Sequence, residues 1–360
     1  MTFAIAAAGT GGHVYPALAV AAALGSRGVD ARHILFLGGD RIEAKAVPAA
    51  GYSLLALDIR GLRRSLSMEN LTLPLSVRRA AREAGAALER AGTKAVAVFG
   101  GYVTGPAVMA ARKRRLPIVI HEQNAVPGIA NRLASRYATR TFLAFEPAAE
   151  ILRHGEVVGN PLRTELADFD RSRLIHDARR HFGLTGTRPV LGVLGGSQGA
   201  SVLNEAVASL LQDPNLDIEV IHLTGAAHID HVLEAAENDD RWRPLGYENR
   251  MDLFYAAADL VVSRAGALTM SELAATATPA VVVPLPAGKG YQARNAADLV
   301  TAGGSIMVGQ ERIHELPTVV GGLLRDRDER ERMGKAAGSV GLPNAADVVA
   351  EALMELIDGG

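Results

Sequence analysis

Residues 1–24 read MTFAIAAAGTGGHVYPALAVAAAL, and this stretch decides the fold of the N-terminal half. Residues 4–8 predict a short buried strand, GTGG predicts a turn, and residues 16–24 predict a helix with Pro16 in its first turn. Strand, glycine loop and helix make one βα unit. The residues leave two interpretations of His13 open: a capping or packing side chain, or a general base that titrates near neutral pH.

The same pattern returns several times in the N-terminal half. Short β-branched or apolar runs followed by loop residues occur at HILFLGG (33–39), AVAVFGG (95–101), LPIVIHEQN (116–124) and TRTFLAF (139–145). Each predicts a buried strand, and the segments between them predict helices. Strands that alternate with helices indicate a parallel sheet covered on both faces.

A second series of βα units begins after GNPLRTEL (159–166). Its strand, loop and helix segments are PVLGVLGGSQGASVLNEAVASLL (189–211), IEVIHLTG (218–225), ADLVVSRAGALTMSELAA (258–275) and PAVVVPLP (279–286). The chain of 360 residues is long enough for two cores. We therefore predict two doubly wound domains with a boundary near Arg163, and a ligand at the carboxyl ends of their strands, in the cleft between the domains.

Composition excludes several classes of protein. The chain has no cysteine, which excludes disulfides, thiolate zinc sites and thiol nucleophiles. Its net charge of −1 gives no indication of a nucleic-acid partner. No apolar run approaches the roughly 20 residues of a spanning helix, and the N-terminus lacks the features of a signal peptide, so we expect a cytosolic protein.

Basic residues are concentrated in two stretches of the N-terminal half. RGLRRSLSMENLTLPLSVRRAAR (60–82) interleaves leucine with arginine, and RKRR (112–115) follows nearby. One interpretation is a helix with a solvated basic face. The other is docking to an anionic bilayer, in which basic residues bind lipid headgroups and leucines insert shallowly.

The loop GTGGH is not a dinucleotide fingerprint. A third glycine would be required at position 14, which is Val14, and no acidic residue stands clearly at the end of the second strand. Zinc-protease chemistry is excluded because HEQN (121–124) lacks the second histidine of HExxH. His228 and His231 lie three residues apart without an evident third ligand, so we predict no metal and no cofactor.

Three further loops carry polar groups that suggest a binding site. GGSQGA (195–200) predicts either an anion cradle with the hydroxyl of Ser197 or a tight turn that needs glycine for its geometry. In SRAGALTMSEL (263–273), Thr269 and Ser271 are expected in the first helical turn. Glu272 either stabilises the helix dipole or accepts hydrogen bonds from a ribose diol. The four polar residues of HEQN are expected to face a ligand.

Six motifs together resemble the MurG family of glycosyltransferases. They are GTGGH, GGYVTGP (100–106), HEQN, VGNPLR (158–163), GGSQGA and RAGALTMSE (264–272), in this order over almost the whole chain. Members of this family add N-acetylglucosamine to lipid I on the cytoplasmic face of the membrane. The resemblance implies a GT-B fold, two doubly wound Rossmann-like domains facing a cleft. It implies an acceptor and membrane-associating domain of residues 1–163 plus the C-terminal helix 344–360, and a donor-binding domain of residues 164–343.

The resemblance also implies site residues. Thr10, Gly11 and Gly12 would lie near the donor sugar and diphosphate, and Asn124 would contact sugar hydroxyls, as would Gln292 and Asn295. Arg163 and Ser197 would hold the diphosphate, and Ala267, Leu268 and Thr269 would form a further phosphate-side loop. Tyr247 and Glu248 would lie beside the uracil, with the Glu248 side chain in solvent. The candidate catalytic residues are His13, as the base, and Glu272, which would hold the ribose.

The implied reaction is inverting transfer from UDP-N-acetylglucosamine to the 4-hydroxyl of the muramoyl acceptor, without a metal. A base must take the proton of that hydroxyl as the new bond forms. Two alternatives share the architecture: a UDP-sugar epimerase, and a non-catalytic nucleotide-sugar sensor. The implied partners are UDP-N-acetylglucosamine, lipid I and an anionic membrane surface, with no nucleic acid. The expected location is peripheral, on the cytoplasmic face of the cell membrane.

Overall fold

The structure, a computed structural model, describes residues 1–59, 69–152, 154–196, 199–213, 216–237, 239–286 and 290–358. The chain divides into two compact units. Unit 1 comprises Met1–Thr164 and Pro343–Gly360, and unit 2 comprises Glu165–Leu342. The ranges expected from the sequence were 1–163 with 344–360, and 164–343.

In the described part of unit 1, seven parallel strands form one sheet. Its order is β3-β2-β1-β4-β5-β6-β7, so β1 lies between β2 and β4. The reversal of strand order at β1 is the topological switch point at which α/β proteins bind ligands. The strands are β1 (Thr2–Ala6), β2 (Ile34–Gly38), β3 (Ser53–Ala56), β4 (Thr93–Val98), β5 (Ile118–Glu122), β6 (Arg140–Leu143) and β7 (Glu156–Val157).

Helices cover both faces of this sheet. Strand β1 and the residues after it alternate between two cores: Phe3 and Ile5 belong to the cluster that includes α1, whereas Ala4 and Ala6 belong to the cluster that includes α3 and α4. A strand that is apolar on both sides is the signature of a sheet buried on both faces. The helices are α1 (Gly11–Ser26), α2 (Glu43–Ala49), α3 (Glu69–Arg90), α4 (Thr104–Lys113) and α5 (Ile129–Ala134), with 3₁₀ helices at Ala31–His33, Ser135–Tyr137 and Glu146–Glu150.

The first helix begins earlier than the sequence predicted. Thr10 is its N-cap in an extended conformation, and the helix runs from Gly11 to Ser26 with Pro16 in its interior. The preference for proline in a first turn is therefore misleading here, because Pro16 only deprives the Gly12 carbonyl of its usual i+4 donor. As a result, Gly11, Gly12 and His13 belong to the first turn of α1 and not to a loop before it.

Unit 2 repeats the architecture. In its described part, six parallel strands pair in the order β10-β9-β8-β11-β12-β13. One cluster of its core packs Leu191, Val193 and Val262 of the central strands against Leu203 and Val207 of α8. The strands are β8 (Val190–Leu194), β9 (Glu219–Leu223), β10 (Trp242–Leu245), β11 (Leu260–Ser263), β12 (Ala280–Val282) and β13 (Ser305–Met307).

Helix α6 (Thr164–Ala167) spans the boundary between the two units in the sequence. The helices that follow it flank the second sheet. They are α7 (Arg171–His181), α8 (Ser201–Leu210), α9 (Ile229–Ala236), α10 (Met251–Ala257), α11 (Ala267–Ala275), α12 (Tyr291–Asn295), α13 (Ala297–Ala302), α14 (Leu316–Arg325) and α15 (Arg327–Gly338), with a 3₁₀ helix at Gln310–Glu315. The predicted fold class, two doubly wound Rossmann-like domains, is confirmed.

The last helix, α16 (Ala345–Asp358), packs within unit 1. Its Val349 and Leu353 are fully buried in the cluster that contains α1, and Arg27 at the end of α1 donates to the carboxylates of Asp347 and Glu351. Apolar burial supplies most of the stabilisation, because ion pairs this exposed contribute little. Among the described residues, none of the helices combines the length and the apolar character needed to traverse a bilayer.

Candidate functional site

The first turn of α1 lies at the carboxyl end of β1. The N–H groups of His13 and Val14 both donate to the Thr10 carbonyl, at 3.1 and 3.2 Å. The N–H groups of Gly11 and Gly12 precede these first intrahelical bonds, so they belong to the donors that a helix N-terminus offers to an anion or a developing negative charge. The geometry of this turn therefore suits a ligand with phosphate or sugar oxygens.

The imidazole of His13 is held in one tautomer. Its Nδ1 lies 3.1 Å from the Ala8 carbonyl oxygen and 3.3 Å from Thr10 Oγ1. Since a carbonyl oxygen only accepts, Nδ1 must carry the proton, which leaves the Nε2 lone pair available when the ring is neutral. Burial lowers the pKa of His13, and the negative charge of Glu122 partly opposes this shift. The ring is thus a neutral base with a defined basic atom.

Two glycines of the β4–α4 loop allow the imidazole this position. A Cβ atom on Gly100 would come 3.0 Å from His13 Nε2, and a Cβ atom on Gly101 would come 2.2 Å from the Ala8 oxygen that His13 binds. Both residues have positive φ, +107° and +84°, which other residues adopt only with strain. The GG of GGYVTGP is therefore required by the position of His13.

A buried carboxylate that the sequence analysis did not single out ties three loops together. Glu43, fully buried, accepts hydrogen bonds from the N–H of Gly9 and of Gly39, both at 3.1 Å, and from the Tyr102 hydroxyl at 2.8 Å. Burial and this hydrogen bond raise the pKa of Tyr102, so the hydroxyl stays protonated and donates. The signal in the sequence is an acidic residue in the first turn of a short helix, directly after a glycine loop.

Three of the four side chains of the polar run HEQN are enclosed by the core, contrary to the expectation that all four face a ligand. His121, Glu122 and Gln123 are at most 2% exposed. Glu122 accepts from the backbone N–H and side-chain amide of Asn124, from the Gly128 N–H and from the Asn131 amide, at 2.9–3.2 Å. It therefore anchors the β5–α5 loop, and the half-buried Asn124 is the member of the run least enclosed by the core.

His121 has a structural role as well. Its Nε2 lies 2.8 Å from the Gly159 carbonyl and its Nδ1 accepts from the Gln123 amide at 3.1 Å. Both ring nitrogens are thus used in the neutral form, and burial lowers the pKa of His121 to about 4. The side chain links the ends of β5 and β7, and it is distinct from the half-buried His13.

In unit 2, helix α11 begins at the carboxyl end of β11. Gly266 is its N-cap, so Ala267, Leu268 and Thr269 form the first turn. Ser271, expected in that turn, lies in the second and donates to the Ala267 carbonyl at 3.2 Å. The first-turn N–H groups make this edge of the second sheet another anion-binding position.

Glu272 is buried in the second turn of α11. Its carboxylate accepts a 2.8 Å hydrogen bond from the hydroxyl of Tyr255 on α10. The helix dipole acts mainly on the first turn, which contains no acidic residue, so the interpretation of Glu272 as a dipole-stabilising group is wrong. Its charge is held in place by packing and by a neutral donor.

Gln292 and Asn295 lie on α12, which packs against α11. Gln292 Oε1 accepts from the Leu285 N–H at 2.8 Å, and the Asn295 amide donates to the Ala265 carbonyl at 3.3 Å. Each side chain therefore fixes a loop at the carboxyl ends of β11 and β12. Their position at this edge agrees with a binding role, although Asn295 itself is buried.

Arg264, which the sequence analysis did not single out, lies between β11 and α11. It is 9% exposed, and its guanidinium donates to the carbonyls of Val283 and Pro284. Within the described ranges no carboxylate forms an ion pair with it, and burial lowers its pKa. Its position beside the first turn of α11 gives this edge of the sheet a positive charge that suits an anion. In the sequence, the feature that could have indicated Arg264 is a charged residue that directly follows an apolar strand, in LVVSRAG (260–266).

Two predicted uracil neighbours follow β10. Tyr247 is 52% exposed. The expectation that the Glu248 side chain lies in solvent is wrong, because this side chain is only 12% exposed. Its carboxylate accepts from His181 Nε2 at 2.9 Å and from the Arg250 N–H at 2.7 Å. The tight turn at residues 248–250 and the nearby end of α7 enclose it.

The remaining candidates are placed as follows. The Arg163 guanidinium lies 5.0 Å from the centre of the Tyr15 ring, which places it beside α1 in unit 1. Ser197 lies outside the described residues. In the part of the chain that is described, no three or more His, Asp or Glu side chains are grouped so that they could hold a metal ion.

Comparison with known proteins gives consistent matches along the chain. Residues 3–143 match the glycosyltransferase family 28 N-terminal domain, and residues 190–349 match the glycosyltransferase family 28 C-terminal domain. A UDP-N-acetylglucosamine–N-acetylmuramyl-(pentapeptide) pyrophosphoryl-undecaprenol N-acetylglucosamine transferase of Mycolicibacterium vanbaalenii is 41% identical, over 98% of this chain and 89% of the relative.

Solved structures of similar fold cover nearly the whole chain. The crystal structure of Acinetobacter baumannii MurG is 29% identical with a TM-score of 0.76, covering 99% of this chain and 100% of that one. A UDP-GlcNAc 2-epimerase from Neisseria meningitidis has a TM-score of 0.70 at 14% identity, covering 99% and 100% of the two chains. At that identity the likeness to the epimerase shows a common fold alone.

The family 28 matches in both doubly wound domains, together with the likeness to MurG, define a glycosyltransferase of the GT-B fold. The N-acetylglucosamine transferase that is 41% identical over 98% of this chain shows which family of glycosyltransferases this is. The chain belongs to the MurG family, and the recognition made from its six motifs is confirmed.

The close approach of Gly101 to Ala8 generates a prediction. Gly101→Ala is expected to lower the free energy of unfolding by about 2 kcal/mol, because the new Cβ meets the Ala8 oxygen and φ is positive. Gly105→Ala is the matched control in the same motif: its Cβ meets nothing and α4 gains up to about 1 kcal/mol. Chemical denaturation measures both. Equal effects of the two substitutions would contradict the account.

Proposed function

We propose that the loop edge of unit 1 binds the acceptor and that His13 is the base of the reaction. The reaction follows from membership of the MurG family: the chain transfers N-acetylglucosamine from UDP-N-acetylglucosamine to N-acetylmuramyl-(pentapeptide) pyrophosphoryl-undecaprenol, lipid I, and so forms lipid II. The observation that carries the assignment of the base is the contact between His13 Nδ1 and the Ala8 carbonyl.

The proton transfer is proposed as follows. The 4-hydroxyl oxygen of the muramoyl residue attacks the anomeric carbon of the α-linked donor, the bond to UDP breaks, and His13 Nε2 takes the hydroxyl proton. The product is β-linked. The Ala8 carbonyl accepts from Nδ1–H throughout and stabilises the imidazolium that forms.

The departing UDP carries negative charge, which requires fixed donors. We propose that the N–H groups at the start of α1 (Thr10, Gly11, Gly12) and of α11 (Ala267, Leu268, Thr269) supply them, together with Arg163, Arg264 and Ser197. In this scheme no metal is needed. Asn124, Gln292 and Asn295 would position the sugar, and Tyr247 and Glu248 would lie beside the uracil.

Glu272 is proposed to accept hydrogen bonds from the ribose diol. A carboxylate has about four lone-pair positions, so one that already binds Tyr255 can accept further donors. Its burial makes each such bond stronger than it would be in water. The contribution is to donor binding, and through it to the orientation of the leaving group.

A membrane-docking surface is proposed on unit 1. Helices α3, α4 and α5 and the 3₁₀ helix after α5 expose large apolar side chains, including Ile129 at 77% and Leu75 at 68%, as well as Met109, Leu133 and Tyr137. A cavity of about 360 Å³ between α3 and α4 is lined by four cations, Arg78, Arg82, Lys113 and Arg114. Apolar side chains next to basic ones suit a bilayer with anionic headgroups. Arg60, Arg63 and Arg64 of the same basic stretch lie outside the described residues.

We therefore propose peripheral binding at the cytoplasmic face of the membrane, where the lipid acceptor is held. No nucleic-acid partner is proposed, because the net charge of the chain is −1.

The first prediction from this proposed function concerns the base. His13→Gln is expected to lower turnover about 10²- to 10⁴-fold, the usual contribution of a general base, with little change in the Kd for UDP-N-acetylglucosamine. UDP release with a lipid I analogue measures turnover, and calorimetry measures binding. In the unmodified enzyme, the acid limb of the rate profile should have a pKa below 6.5, because the active ring is neutral and its pKa is lowered.

Near-normal turnover of His13→Gln would contradict the assignment of the base. The same assay separates the alternatives for the whole protein: conversion of UDP-N-acetylglucosamine without acceptor would indicate an epimerase, and tight binding without turnover would indicate a sensor.

The second prediction concerns Glu272. Glu272→Gln is expected to weaken UDP binding roughly 10- to 100-fold, the value of hydrogen bonds to a charged group. The sharper measurement is the ratio of affinities for UDP and 2′,3′-dideoxy-UDP, because only the ribose diol should depend on the carboxylate. In the variant, the ratio of the affinities for UDP and 2′,3′-dideoxy-UDP should fall to about one. An unchanged ratio would place Glu272 away from the ribose.

The third prediction concerns the membrane surface. Arg78→Glu with Arg82→Glu is expected to reduce co-sedimentation with phosphatidylglycerol vesicles roughly 10- to 30-fold, since each basic residue near the surface contributes about 1 kcal/mol. The control is Arg173→Glu with Arg180→Glu, the same charge change on exposed positions of α7 in unit 2. Equal losses in both variants would show a general charge effect and contradict the proposed surface.

A further inference from the structure

Unit 2 contains a second basic cavity, at the opposite edge of its sheet from the proposed donor site. It has a volume of about 740 Å³ and lies between α7 and α15. Pro189, Asp259 and Pro279, which line it, directly precede β8, β11 and β12. These are the amino ends of the strands, whereas α8 and α11 begin at the carboxyl ends.

Cations dominate the walls of this cavity. Six basic side chains face two carboxylates, a formal excess of four positive charges in a chain whose net charge is −1. On α7 they stand at i and i+8, and on α15 at i, i+3 and i+8, so each helix turns one basic face to the cavity. The six are Arg171, Arg179, Arg188, Arg327, Arg330 and Lys335.

The two carboxylates are already engaged by part of this set. Asp259 accepts from Arg171 at 2.8 Å and from the Val190 N–H at 2.9 Å. Glu331 accepts from Arg327 at 2.8 Å. The excess of positive charge therefore remains in the cavity after these pairs are formed.

The other cations make no ion pair with the cavity's carboxylates in the described ranges. Arg188 pairs with Asp217, which does not line the cavity. Arg330 donates to the Leu323 and Leu324 carbonyls, and Arg179 donates to the Gly186 carbonyl. The Arg179 Nε is buried, and no described residue forms a hydrogen bond with it. Arg179 and Arg330 therefore keep positive charges that no ion pair in the described ranges neutralises.

We propose that this cavity binds a small molecule carrying two or three phosphate groups, at a site separate from that of the sugar donor. Planar guanidinium groups match phosphate oxygens in pairs, and five of the six cations are arginines. Three cations, Arg179, Arg330 and Lys335, remain outside the ion pairs of the described residues, and three positive charges call for a ligand with several negative ones. The volume lies in the range of small-molecule sites. Because α7 and α15 both line the cavity, a ligand bound there would contact both helices.

The test is calorimetry of the full chain with inorganic tripolyphosphate as the probe, in the presence of saturating UDP. UDP occupies the donor site, so saturable binding of one tripolyphosphate per chain under these conditions is expected. Binding that UDP abolishes, or no saturable binding at all, would overturn the proposal.

Adjacent arginines on α7 give a matched pair of variants. Arg179→Gln is expected to weaken tripolyphosphate binding at least tenfold, whereas Arg180→Gln, an exposed neighbour outside the cavity, should change it less than twofold. Lys335→Gln is a second cavity variant on α15 and should also lose at least tenfold. UDP affinity, measured for every variant, reports on folding. Equal losses in Arg179→Gln and Arg180→Gln would overturn the proposal.

Discussion

The hydrogen bond between His13 Nδ1 and the Ala8 carbonyl is the interaction on which the proposed chemistry of unit 1 depends. It fixes the tautomer, and so makes Nε2 the basic atom. It also explains local features that would otherwise be unrelated: the helix that starts at Gly11, the positive φ of Gly100, and the absence of a side chain at Gly101. Each of these places the imidazole against the end of β1 with its second nitrogen still available.

Buried carboxylates hold the loops around His13 in place. Glu43 joins the loops after β1, β2 and β4, and Glu122 orders the loop after β5. Burying a charge is costly unless donors surround it, and each of these carboxylates has at least three. In unit 2, Glu272 is likewise buried and bound by Tyr255. The loops after β1, β2, β4 and β5 are therefore ordered before any ligand arrives, which lowers the entropic cost of binding.

The sequence predicted the central strands but not the edges of the sheets. All nine interior strands of the described sheets correspond to apolar runs, whereas β3, β7, β10 and β13, the four edge strands, were missed. Edge strands are short and only partly buried, and β10 even contains Pro244, so they lack the apolar pattern on which prediction relies. The glycine motifs identified the carboxyl edges correctly. They could not indicate that HEQN is buried, because burial of a polar run depends on partners such as Asn131 and Gly159 that are distant in sequence.

The central claim is that His13 is a neutral base whose proton is on Nδ1. Its most direct test is NMR of the ring nitrogens in protein labelled with ¹⁵N-histidine, with His13→Gln to assign the signals, followed over pH. We expect a protonated Nδ1 and an unprotonated Nε2 at neutral pH, and a pKa of His13 below 6.5. A proton on Nε2 at neutral pH, or a pKa above 6.5, would contradict it.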